Sequence, residues 1–209
     1  MKALIITAVQ AEAEAIGHFS NAVVVAGGVG RTNAAASTTR SLLEDGPFSM
    51  VISAGIAGIL PGNDLAIGDV LIATECIYME EGIQTPQGFE DMDAMGFPLG
   101  DFKGNHVPID TALLERCPVE FQRGPIATVA TCSGTDELAH LVHQRTGSMA
   151  EAMEGAAVVH AAARMDVPGI EIRSMSNYTG HRASQKWDIA KALGSLRPVI
   201  DAFLRSFED

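Results

Sequence analysis

The sequence predicts a three-layer α/β domain over residues 1–209, built on a mostly parallel, mixed central sheet. Three observations lead there. Apolar runs of buried-strand length recur at residues 2–8, 22–26 and 50–54, each ending in a small residue, as expected of strands covered on both faces. Helix-like stretches separate them: 12–19 is long enough for one or two turns, and 32–44 opens on Thr-Asn and ends in Glu-Asp-Gly. Finally, 209 residues suffice for one large core and fall short of two full-sized α/β domains.

The later elements continue the pattern. Residues 69–78 and 125–130 are rich in Val, Ile and Thr and read as strands. Between them, 79–106 mixes Gly, Pro, Met, Asp and Phe without a period and reads as a long lid or substrate-facing loop. Helical spacing marks 136–146, 150–165 and 185–207, and 167–175 is a last central strand introduced by Pro168.

Composition excludes several classes of function. Hydrophobic residues make up 47% and charged residues 19%, which argues against disorder. A net charge of −12 and only 5% aromatic residues disfavour a nucleic acid polymer as partner. The longest apolar runs are far short of the ~18 residues of a membrane span, so no membrane partner is expected. Cys76, Cys117 and Cys132 are widely spaced and no leader pattern precedes the first strand, which points to a cytoplasmic location. Six histidines form no ligand cluster, and neither a metal nor a cofactor is expected. The thin polar shell of an Ala- and Gly-rich chain hints at a surface covered by another subunit.

Six constellations could carry chemistry. The Gly27-Gly28-Val29-Gly30-Arg31-Thr32-Asn33 run opens a helix after a strand, so it is either an anion-facing loop or a tight strand-to-helix turn. Glu12 follows the first strand, where a carboxylate can serve as general base or simply partner a helix dipole. Ser53, Ala54 and Gly55, followed by Ile56-Ala57-Gly58, offer backbone groups to a closely approaching substrate, or a close-packed turn. Met153 and Glu154 open an apolar helix with Gly155 and Ala156 behind them, leaving room for a ligand. In the last strand, Arg173 and Asn177 alternate to one side, with Ser176 beside them. Cys132, beside Ser133, could be a nucleophile, though an isolated Cys after a strand is usually core.

Taken in order, Glu12, GVGRTNAAAS, SAGIAG, GDVLIA, Cys132-Ser133-Gly134-Thr135, EAMEGAAVVHAA and RSMSNYTGHRASQKWDI resemble the nucleoside phosphorylase and nucleosidase superfamily over nearly the whole chain. The closing RSMSN and RASQKWD segments point within it to the futalosine hydrolase branch. The resemblance implies a nucleoside phosphorylase-like fold, a homodimer or larger homo-oligomer, and cleavage of a ribose N-glycosidic bond through an oxocarbenium-like transition state. It further implies that Glu12 activates the attacking water with the help of Arg173, that Glu154 holds the ribose hydroxyls, and that Met153 packs on the sugar face. For that branch the product base would be hypoxanthine and the pathway menaquinone biosynthesis.

Asn177 stands where the resemblance places, in 5′-methylthioadenosine nucleosidases, an Asp that protonates purine N7. An amide can instead offer NH2 to O6 of a 6-oxopurine and accept from a protonated N7. The phosphorylase arginines that the resemblance implies, at the Ser53 position and in the first loop, are absent; Arg31 alone keeps phosphorolysis open. A carboxylate beyond the ribose would meet Lys103, His106, Arg182 or Lys186, and Trp187 reads as an anchor for the last helix. The alternatives are a 5′-methylthioadenosine/S-adenosylhomocysteine nucleosidase, a 6-oxopurine nucleoside phosphorylase, and a non-catalytic nucleoside-binding module.

Overall fold

A computed structural model of the protein describes residues 2–207; Met1, Glu208 and Asp209, which belong to the expected domain span, lie outside the described residues. The Ala-Leu-Ile-Ile-Thr run forms β1 (Ala3–Thr7), buried at every position, as a strand covered on both faces must be. It is followed by α1 (Gln10–Ile16), β2 (Ala22–Ala26), α2 (Arg31–Glu44) and β3 (Met50–Ile59). β1 lies between β2 and β3, parallel to both.

Next come β4 (Val70–Tyr78), a hairpin of β5 (Gly82–Thr85) and β6 (Gly88–Asp91), then β7 (His106–Pro108) and α3 (Thr111–Arg116). The chain continues through β8 (Gln122–Thr128), α4 (Asp136–Thr146), β9 (Ala150–Ala152), α5 (Gly155–Ala163) and β10 (Gly169–Tyr178), and a 3-10 turn at Arg182–Ser184 precedes α6 (Ile189–Arg205).

The α/β fold with a mixed sheet is as the sequence predicts, and five of its strands close on one another. β10 runs parallel to β3 and antiparallel to β4. β4 and β8 are parallel, as are β8 and β9, and β9 pairs antiparallel with the end of β3. Closure places Gly58 opposite Glu151 and Thr128 opposite Ala152. The segment leaving β9 therefore emerges beside the end of β3.

Several boundaries differ from expectation; β3, for one, runs on to Ile59 instead of ending at 54. Residues 150–165 are not one helix: β3 and β8 claim the backbone of β9, and α5 starts only at Gly155. The last helix begins at Ile189 rather than 185, because the Asp188 carboxylate accepts from Lys191 N–H at 2.9 Å and caps it there. From that start, Ala192, Leu196, Val199, Ile200 and Phe203 form the buried stripe of an amphipathic helix. Residues 79–106 are not an open lid; they contain the hairpin, and Asn105 Nδ2 donates to Tyr78 O and Glu81 O at 2.8 and 2.9 Å. Phe102 packs edge-on against His160 of α5. Among the described residues, no helix is long and apolar enough to cross a membrane.

Candidate active site

A cavity of about 490 Å³ opens where β1, β3, β9 and β10 end, and its walls are mainly apolar. Three carboxylates face it. Glu12, in the first turn of α1, is 3% exposed. Its Oε2 accepts from Ala8 and Val9 N–H at 2.9 and 3.1 Å, and its Oε1 accepts from Ile56 N–H at 2.9 Å. This carboxylate is held by backbone from the turn after β1 and from β3, so its position does not depend on a mobile side chain.

Glu154 precedes α5 and takes its bonds from elsewhere in the fold. Gly30 N–H donates to Oε1 at 2.9 Å, and Arg173 Nη2 lies 3.5 Å from Oε2. The glycine-rich run before α2 thus turns a backbone donor toward a carboxylate of the protein itself. Glu151 was not singled out from the sequence, although it begins the same Glu-Ala-Met-Glu run. It accepts from Ser133 N–H and Oγ–H at 2.7 and 2.6 Å. Burial pushes the Glu151 carboxyl above its ordinary pKa, opposed by those two bonds.

At the other wall, Ser176 and Asn177 both reach the cavity although they are adjacent in β10, because the β3–β10 register shifts between Met175 and Asn177. Ser176 Oγ lies 2.8 Å from Asn177 Oδ1 and 3.0 Å from Ala57 O, and its single proton can serve only one of them. Asn177 Nδ2 donates one proton to Tyr178 O at 3.2 Å, which leaves the second for a ligand.

Of the residues predicted from sequence, Glu12, Met153, Glu154, Ser176 and Asn177 line the cavity. Ser53, Ala54, Gly55 and Arg173 do not. The long β3 carries the lining role on to Ile56, Ala57 and Gly58, and the earlier residues support the site from behind. Ser53 Oγ accepts from Arg173 Nη2 at 3.1 Å. Gly55 provides space, since a Cβ there would stand 2.6 Å from Arg173 Nη1 and also collide with the Glu12 carboxylate. Arg173 itself is 1% exposed; burial opposes its charge, but Glu171, Glu154 and Glu12 outweigh that and hold its pKa above the ordinary value.

Three more lining residues depart from or were missed by the sequence reading, and a fourth, Arg182, is one of the cations it offers for a carboxylate. Cys132 is exposed beside the cavity rather than buried in the core; partial desolvation of the sulfur, followed by Glu151 and Glu154, raises its pKa and disfavours the thiolate. Trp187 lines the cavity instead of anchoring α6. Gln185 Oε1 accepts from Trp187 Nε1 at 3.0 Å and from Arg182 Nη1 at 3.1 Å, while its Nε2 donates to Ser133 O and Gly180 O. Arg182 lies over the Trp187 ring and is the one Lys or Arg among the described residues lining the cavity. Arg31 turns away, paired with Glu80 and Glu81. His106 pairs with Glu75. Among the described residues, no group of three or more His, Cys, Asp or Glu could hold a metal ion.

The chain is similar to several known proteins. A family model described as Phosphorylase superfamily matches residues 10–205. Futalosine hydrolase of Streptomyces coelicolor is 33% identical over 195 residues, covering 86% of this chain and 80% of that protein. A 5′-methylthioadenosine/S-adenosylhomocysteine nucleosidase of Bacillus cereus is 31% identical over 172 residues, covering 79% and 72%. Among solved structures, a futalosine hydrolase mutant of Helicobacter pylori superposes with a TM-score of 0.81 over 99% of both chains at 20% identity, a likeness of fold.

Proposed function

The chain belongs to the phosphorylase superfamily, and on that premise we propose that it is a nucleosidase that hydrolyses the N-glycosidic bond of futalosine, releasing hypoxanthine. One observation carries hydrolysis over phosphorolysis: the cavity presents Glu12 on three backbone N–H donors, while Arg31, the remaining candidate for a phosphate, is committed to Glu80 and Glu81. A phosphate dianion would face Glu12, Glu151 and Glu154 with only the exposed Arg182 in support. Water carries no such penalty.

In this reading Glu12 takes the proton of a water as its oxygen bonds to C1′ and the electron pair of the glycosidic bond leaves with the base; a base so positioned contributes about 10²–10⁴-fold. Glu154 accepts from the ribose hydroxyls and offsets positive charge developing in the ring. Met153 packs against the sugar. Arg173 acts one step back, through Glu154. Asn177, with its carbonyl and free N–H, meets N7 and O6 of a 6-oxopurine, and Ser176 orients it. Arg182, held by Gln185 and Trp187, meets the carboxylate of the substrate. The reading extends to residues 1–209 acting as one domain, a homodimer or larger assembly, a cytoplasmic location and a step in menaquinone biosynthesis. Turnover in ¹⁸O-labelled water tests the chemistry: hydrolysis places one label on the released sugar, whereas transfer to phosphate places none.

A further inference from the structure

Behind the cavity, Glu171 is fully buried, on the same face of β10 as Arg173. Both of its oxygens are engaged: Oε1 accepts from Arg173 Nε at 2.8 Å, and Oε2 accepts from the Cys76 thiol of β4 at 2.9 Å. Room for the carboxylate exists because residue 155 is Gly; a Cβ there would collide with it. A carboxylate buried this deeply is a costly way to stabilise a fold, since apolar residues of similar volume commonly do as well or better. Its position explains it differently. Arg173 reaches Ser53 and Glu154 with Nη2 and crosses Gly55 toward Glu12 with Nη1, so its direction depends on what holds Nε.

We propose that Glu171 is a positioning residue: it pins Arg173 from behind, so that the guanidinium faces Glu12 and Glu154 in the geometry the reaction needs. This rests on the hydrolytic reading above. The charged and titratable groups facing the pair are Arg173 of β10, Cys76 of β4, Glu154 before α5 and Glu12 of α1.

Glu171→Gln keeps the shape but gives Arg173 Nε a neutral amide oxygen in place of a carboxylate, so the charge-assisted hold on the guanidinium weakens. With the fold checked by thermal melting, kcat falls about ten-fold or more while KM stays within about two-fold. The acid limb of the pH profile moves to lower pH, because one negative charge fewer makes the remaining carboxylates harder to protonate. Glu171→Asp serves if the Gln variant does not fold; it keeps the charge but is too short for both contacts, so kcat falls with the acid limb in place. Wild-type kcat and pH profile in a folded variant overturn this proposal alone. Failure of the wild-type protein to release base overturns both it and the hydrolytic reading.

Discussion

Ile56 donates its backbone N–H to Glu12 Oε1 at 2.9 Å, joining the end of β3 to the first turn of α1. The same carboxylate takes two further N–H groups from Ala8 and Val9, in the turn between β1 and α1, so all three bonds come from backbone groups. A base fixed in this way spends no side-chain entropy on ordering at the moment of reaction.

Glu12→Gln retains an acceptor oxygen and the shape but cannot take a proton. Turnover falls by about 10²–10⁴-fold, and the Kd for the free base changes little. Both are read by steady-state kinetics and calorimetry, and near-normal turnover in the variant contradicts the general-base role.

Gly55→Ala tests the close approach of Arg173 and Glu12. The added methyl cannot fit without moving one of them, so the variant is destabilised by about 1–3 kcal/mol in denaturant unfolding and its kcat falls. A stable, fully active Ala variant contradicts the packing described.

Asn177→Asp changes the face offered to the base. The carboxyl can protonate N7 and accept from a 6-amino group, so the ratio of kcat/KM for 5′-methylthioadenosine over inosine rises. An unchanged ratio counts against the edge-matching role of Asn177.

Arg182→Gln removes the cation at the cavity. KM for futalosine rises about ten-fold, the equivalent of about 1.4 kcal/mol for one charge-assisted hydrogen bond, while KM for uncharged inosine does not move. An equal effect on both substrates assigns Arg182 to holding the 3-10 turn instead.

Cys132 stands exposed at the cavity with its thiol pKa raised by partial desolvation and by Glu151 and Glu154. Alkylation by iodoacetamide is therefore slow at pH 7, accelerates as pH rises past the ordinary thiol range, and is blocked by bound hypoxanthine. Mass spectrometry of the labelled peptide measures all three.

The parts of the site legible in the sequence are those set by local pattern. Apolar runs marked β1 to β3, and Glu12, Met153, Glu154 and Asn177 stand at strand or helix ends, where open α/β sheets present ligand-facing groups. The remainder depends on pairing between distant segments. β9 has three residues, too few to show a period, so 150–165 reads as helix until β3 and β8 claim it. Ser53 to Gly58 are all small or aliphatic, and nothing in such a run says which members face the cavity. Gln185 and Trp187 read as the start of the last helix, whereas they precede it and reach the cavity through the Asn177–Trp187 bridge. Trp187 carried one usable signal, a large aromatic in an otherwise polar run.

The central claim is tested most directly by following base release from futalosine, inosine and 5′-methylthioadenosine by chromatography, each with and without phosphate. Hypoxanthine released from futalosine at the same rate with and without phosphate, and faster than base from the other two, is the predicted result. A requirement for phosphate, or adenine release exceeding hypoxanthine release, contradicts it.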